Sequence, residues 1–394
     1  MDFFIIVLYV FLGILFGIIT GLTPGLHPNT IAAIAVGFSF NPFLISVVII
    51  SAAITHTFLD FIPSIFLGAP DPGTAMSVLP GHELMMKGRG YEAIKLTVVG
   101  GIVSLIITII ILPGLILFIK NFYDIIRTSI PWILVMISSY MFLKDKKIWG
   151  IVVFTLAGVF GYIVLRNNFI GDMVLFPMLT GLFGISTIIY SLRRKTKIPE
   201  QGKDVENVEK NEYLLGGLIG SLSGILVGLL PGIGSAQASF LSREIIKDNS
   251  NRKFMIAIGG VNTTVAILSL LALWLIGTPR SGVASVVGRL LDLSLGDVVV
   301  FMGVMIMASG IAGLITILIG KKSVHFFKKI NYIHLNVMII VLLAVMIFVF
   351  TGLWGLLIAS LSTVIGLFCI FSGTRRTYLM ACLIVPTVLF FIGL

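Results

Sequence analysis

Charge is what this chain has least of. Of its 394 residues 11% are Asp, Glu, Lys or Arg, about half the share carried by water-soluble domains, while 58% are hydrophobic and the mean hydropathy is +1.12. A fold bathed in water on all sides is excluded. Cysteine is nearly absent too: Cys369 and Cys382 lie in apolar runs without CxxC spacing, which excludes a disulfide framework and a structural zinc site. His82–Lys87, HELMMK, begins like a zinc-protease HExxH but carries Met86 where the second histidine must stand. Metalloprotease chemistry is thereby excluded, and no metal or cofactor is expected. Phe3–Thr20 lacks the basic start and small-residue cleavage site of a secretory signal, so it is read as a retained first helix. The net charge is +10, but the bases sit in short groups between apolar runs. They set membrane orientation rather than bind nucleic acid.

What the chain has in abundance is apolar runs long enough to cross a hydrocarbon core of about 30 Å. They fall near 3–20, 26–40, 43–66, 96–119, 130–143, 148–165 and 173–192, then 214–230, 231–242, 254–276, 297–320, 335–350, 353–372 and 377–393. Several are too short to span, so the expectation is about 10 to 12 full spans in an all-α polytopic membrane protein. One long polar stretch, Arg193–Glu212, cannot enter lipid. It divides the chain into a first membrane repeat (1–192), a polar linker (193–212) and a second membrane repeat (213–394).

The halves share motifs. GLTPGLHPNTIAA (Gly21–Ala33) resembles GLLPGIGSAQASF (Gly228–Phe240), with Pro24 and Pro231 offset by 231 − 24 = 207. FLGAPDPGTAMSV (Phe66–Val78) resembles LIGTPRSGVASVV (Leu275–Val287), with Gly68 and Gly277 offset by 277 − 68 = 209. The bases at equivalent loops fall on opposite sides: His82–Lys95 carries three against none in Leu291–Val304, whereas Arg243–Lys253 carries four against none in Val36–Ser46. Because Lys and Arg accumulate in cytoplasmic loops, the halves read as two inverted-topology repeats with broken or re-entrant helices at the Pro-Gly motifs. With the N-terminus outside, the linker is cytoplasmic, together with 22 of the 27 basic residues.

Pro and Gly inside an apolar helix free backbone groups that lipid cannot satisfy, so these segments must be buried in protein or line a wet cavity. In inverted-repeat transporters such half-helices aim their N-termini at anionic substrate groups near the midplane. Asn29 and Thr30 follow the first Pro-Gly, and Ser235, Gln237 and Ser239 follow its counterpart; all could donate to a carboxylate. Asp71 and Arg280 occupy equivalent places after GAP and GTP. Arg280 could clamp a carboxylate bidentately and Asp71 could take a proton or cation, or both could sit at the interface or pair with each other. His56 and Asp60, one helical turn apart, form either a proton relay or a satisfied packing pair. His27 is either cavity-facing or a turn contact. Asn262, Thr263 and Thr264 either line the same cavity or bond between helices. Gly216, Gly217, Gly220 and Gly224 read as a packing seam.

Together, GLTPGLHP, GLLPGIG, GAPDPGTAMSVLPGHELMMKGR and GTPRSGVAS resemble the motifs of the large membrane subunit of tripartite tricarboxylate transporters (TctA-type), over most of the chain. The chain is most similar to a divergent archaeal branch, with His27 in place of the first motif's second glycine and Asp71 after GAP. The resemblance implies a permease of about a dozen helices taking up citrate-like carboxylates with a small membrane subunit and an extracellular solute-binding protein. It places Pro24, Gly25, Asn29, Gly68, Pro70, Pro231, Gly232, Gly234, Ser235, Gly277 and Pro279 towards the solute.

The sequence therefore reads as a secondary transporter in the cell membrane for a small carboxylate-type anion, coupled to Na+ or H+. The substrate-facing set is completed by His27, Thr30, Gln237 and Arg280, with Asp71, Asp60 and His56 for ion coupling. A passive channel is the alternative. An integral membrane enzyme built on His56, Asp60, Asp71 and His82 lacks a nucleophile–base constellation.

Overall fold

The computed structural model describes residues 3–24, 26, 28, 41–70, 73–145, 148–167, 171–193, 199–202, 209–228, 234–246, 250–277, 279–327 and 332–393. Among these every regular element is helical. The first half holds α1 (Phe3–Leu22), α2 (Pro42–Leu59), α3 (Phe61–Leu67), α4 (Val78–Met86), α5 (Gly90–Asp145) and α6 (Ile148–Arg166). It ends in α7 (Leu175–Leu179), a π-helical turn Thr180–Ile185, and α8 (Ser186–Arg193). The second half holds α9 (Lys210–Gly228), α10 (Ser235–Ile245), α11 (Asn251–Ile276), α12 (Gly282–Leu290), α13 (Leu295–Phe327), α14 (Tyr332–Phe371) and α15 (Ala381–Phe391).

Among the described residues seven stretches are long and apolar enough to cross a membrane, and Pro131–Leu143, Leu175–Tyr190 and Arg376–Phe391 are shorter apolar helices. Against the 10 to 12 spans expected, these seven and the three shorter helices account for ten apolar stretches among the described residues. Some runs fuse. α5 continues through 90–145 across Pro113 and Pro131, where separate segments at 96–119 and 130–143 were expected; proline is tolerated in membrane helices because neighbours re-satisfy the freed carbonyl. α14 joins the segments expected at 335–350 and 353–372 through a non-helical Gly352 (φ 64, ψ −159).

Two helices form the interior. In α2–α3 and α11, 78% and 83% of the most apolar window is buried, against 22–44% in the other five spans. Exposed apolar side chains concentrate on these five and on α9. Both interior helices end on a glycine in the left-handed region, Gly68 (φ 62) and Gly277 (φ 68), a conformation that strains any residue bearing a Cβ.

Corresponding helices also meet in corresponding ways. α1 packs on α2 as α9 packs on α11, α13 on α2 as α5 on α11, and α15 on α6 as the π-helical turn on α14. A Cβ on Gly17 would lie 2.5 Å from Thr55 Cβ, and one on Gly224 2.7 Å from Thr264 Cβ. One turn later Gly21 meets Leu59 Cβ at 2.7 Å and Gly228 meets Leu268 Cβ at 2.9 Å. The offsets are those of the sequence motifs, 224 − 17 = 207 and 264 − 55 = 209. Glycines every fourth residue let each helix pair approach to backbone contact.

Candidate functional site

α2 is interrupted at Asp60 for a local reason: Pro63 has no N–H to give the Leu59 carbonyl four residues earlier. The interruption carries Asp60 to the wall of a half-open cavity of about 200 Å3 between α2, α11 and the starts of α10 and α12. His56 lies one turn back, its Nε2 4.0 Å from Asp60 Oδ2, both side chains buried. From α11, Asn262 Nδ2 donates to Asp60 Oδ2 at 3.4 Å. Charge of both signs therefore lines one chamber, with Asp60 on the first half and Arg280 on the second.

Two helix amino ends open onto the same space. Gly234 and Ser235 begin α10, and Ser281 caps α12 by accepting from Ala284 N at 3.1 Å. The Ser269 hydroxyl donates to Ser281 Oγ at 2.7 Å and so ties the cap to α11. Unsatisfied N–H groups and the helix dipole make such ends favourable for an anion, and Arg280 adds a full positive charge beside one of them. The volume is below the about 300–1,000 Å3 of drug-sized sites, which suits a small solute.

Of the residues expected from sequence, the cavity brings together Ser235, Gly234, Arg280, Asp60 and His56. Others lie elsewhere. Gln237 folds back to accept from Gly234 N at 3.1 Å and so shapes the start of α10. Gly68 and Pro70 are packed against Gly184 of the π-helical turn, Pro24 is buried in a turn, and Gly277 and Pro279 are exposed. Gly25, His27, Asn29, Thr30, Asp71, Pro231 and Gly232 lie outside the described residues. Of the polar trio on α11, Asn262 lines the cavity, whereas Thr264 pairs with Thr108 at 3.1 Å and Thr263 donates back to the Gly259 carbonyl.

Sequence reasoning missed Thr57, Gly73, Ser269 and Ser281, all on the wall. Ser269 was legible in principle, seven residues from Asn262 and so on the same face of α11. Gly73 belongs to the first half's second motif but sits against Asn262 and Ser235 of the second, where a Cβ would come within 2.8 Å of Ser235 Oγ. Motifs of both halves thus meet at one point.

Residues 7–381 match the family described as Tripartite tricarboxylate transporter TctA family. The chain belongs to the TctA family. An uncharacterised protein of Methanocaldococcus jannaschii is 32% identical over 401 residues, covering 98% of this chain and 99% of that protein. No solved structure matches the chain. TctA proteins are membrane components of a transporter rather than enzymes, and they work beside a substrate-binding protein and a small subunit. This TctA chain is accordingly a multi-pass membrane protein of a transport system.

Proposed function

We propose that this chain is the conducting subunit of a secondary transporter that moves a small carboxylate-type anion through the cavity between α2 and α11. The observation that carries the reading is the convergence of Arg280, the amino ends of α10 and α12, Asp60 and His56 on the lining of that one cavity. A carboxylate would be held by Arg280 through charge-assisted hydrogen bonds and by the N–H groups at Ser235 and Ser281. Asp60, beside His56 and Asn262, would take the coupling H+ or Na+, bringing a counter-charge to the anion.

Residues 1–192 and 213–394 act as two inverted repeats joined by a cytoplasmic linker at 193–212. The matched helix contacts and the repeated glycine seams support this reading. Exchange of the two repeats' packing around the shared cavity would give alternating access. The solute-binding protein outside the cell membrane would deliver the anion, and the small subunit would flank the spans.

The test is uptake of labelled citrate and other di- and tricarboxylates into proteoliposomes under imposed Na+ or H+ gradients. Gradient-dependent accumulation, lost in Arg280→Ala and reduced to gradient-independent flux in Asp60→Asn, is the expected result. Absence of carboxylate flux under both gradients, with the partner subunits present, would refute it.

A further inference from the structure

A second cavity, of about 390 Å3, is lined by Met76, Glu83, Arg243, Glu244, Arg375 and Arg376 among others. It shares no lining residue with the central one, yet it touches the same two short elements further along. Ser235 lies at the start of α10 in the central cavity and Arg243 in its last turn in the second. Eight residues at 1.5 Å each separate them by about 12 Å. Likewise Gly73 borders the central cavity, while Ala75, Met76 and Glu83 border the second. The 3-10 turn Ala75–Ser77, which follows Gly73 and borders the second cavity, is pinned to α3 by Ser64, which donates to the Thr74 carbonyl at 3.2 Å and pairs with Ser77 at 2.9 Å.

Three guanidinium groups face two carboxylates in this second chamber. Arg376 is held by donating to the Phe183 carbonyl at 3.2 Å and to Thr187 Oγ1, and Arg243 lies 5.0 Å over the Phe254 ring. Glu83 accepts from Asn251. α4, which supplies Glu83 to the chamber, is also the helix that the linker meets: Gln201 donates to the Met85 carbonyl at 2.8 Å and accepts from Gly90 N at 3.0 Å.

We propose that this chamber is a second carboxylate-binding site in series with the central cavity, a weaker station at the linker-side end of α10 that receives the anion as it leaves. The inference rests on the proposed function. The order of affinities follows from α10 itself, whose positive amino end faces the central cavity and whose negative carboxyl end faces the second. Arg243, in the last turn, offsets that negative end. The partly neutralised guanidinium cluster then attracts a carboxylate without trapping it.

Equilibrium binding of labelled citrate to the purified full chain tests this. The wild type is expected to bind two equivalents. In Arg243→Gln/Arg375→Gln the weaker should lose at least about tenfold in affinity, with partial recovery in Arg243→Lys/Arg375→Lys, while the tighter site is retained and reports an intact fold. Arg280→Ala should remove only the tighter one. A single equivalent in the wild type that Arg280→Ala abolishes, or two equivalents undisturbed by the double glutamine variant, would overturn the second site and leave the central one standing. A weak equivalent sensitive to the double variant, with no Arg280-dependent site, would keep the second site and sink the central one. No citrate binding at all would overturn both.

Discussion

Helices α5 and α11 cross so closely that neither has room for a methyl group at its contact glycine. A Cβ on Gly100 would fall on the Ile256 carbonyl oxygen, and one on Gly259 on the Thr97 carbonyl oxygen. Backbone atoms cannot rotate away as a side chain can. In an unconstrained helix Gly→Ala is worth about 1 kcal/mol of added stability, but forcing a carbon into a filled contact costs about 1–3 kcal/mol. Gly100→Ala and Gly259→Ala should therefore each lose up to about 2 kcal/mol net, towards the upper end because the atoms met are backbone. Their double variant should lose less than the sum, because one separation of the helices relieves both clashes. Gly303 and Gly310 on α13 are the control, since an added Cβ meets no atom within 4 Å among the described residues; alanine there should be neutral or stabilise by up to about 1 kcal/mol. Thermal unfolding in detergent, followed by tryptophan fluorescence, reads the difference in sign. Gly100→Ala melting at or above the wild type would refute this account of the α5–α11 contact.

Glu92 is fully buried and accepts from Arg89 at 2.6 and 2.8 Å and from Arg252 at 2.8 Å, joining α5 to the start of α11. Glu92→Gln leaves two guanidinium groups on a neutral amide and should cost about 3 kcal/mol in denaturant unfolding, the lower end of the range for a broken buried pair because both arginines are partly exposed; a loss under 1 kcal/mol would contradict it. His82 titrates down at about 4 instead of 6.5, because burial and then the Arg376 guanidinium disfavour its charged form. The unfolded chain takes up that proton first, so the contribution is complete above pH 6.5 and is lost as pH falls towards 4, by up to about 3 kcal/mol. His82→Gln should flatten stability in that window, and an unchanged pH dependence would show that His82 is not the group responsible.

The membrane class was legible because it rests on composition, which lipid enforces residue by residue. The offsets of 207 and 209 read from Pro24/Pro231 and Gly68/Gly277 recur in glycine contacts that the alignment of motifs did not use, at Gly17/Gly224 and Thr55/Thr264. Span boundaries were less legible. Residues 120–130 are polar enough to look like a loop, yet α5 continues through them, since polarity alone does not break helical hydrogen bonding. α4 and α12 escaped notice because each is only nine residues long, too short for an apolar period to declare itself. In the site, charged residues such as Arg280 and Asp60 stood out because charge in an apolar run is costly. Ser281 and Gly73 did not, because a helix cap and a close approach are properties of the fold around them.

The central claim, that a carboxylate occupies the cavity between α2 and α11, is tested most directly by a thiol placed on its wall. Cys369 and Cys382 are both buried, so Thr57→Cys, on the cavity lining, supplies a new target for a small anionic thiol reagent. Citrate or another small carboxylate should slow its modification in the Arg280-containing protein and leave the rate unchanged in Arg280→Ala. A rate indifferent to every di- and tricarboxylate tested would contradict the account.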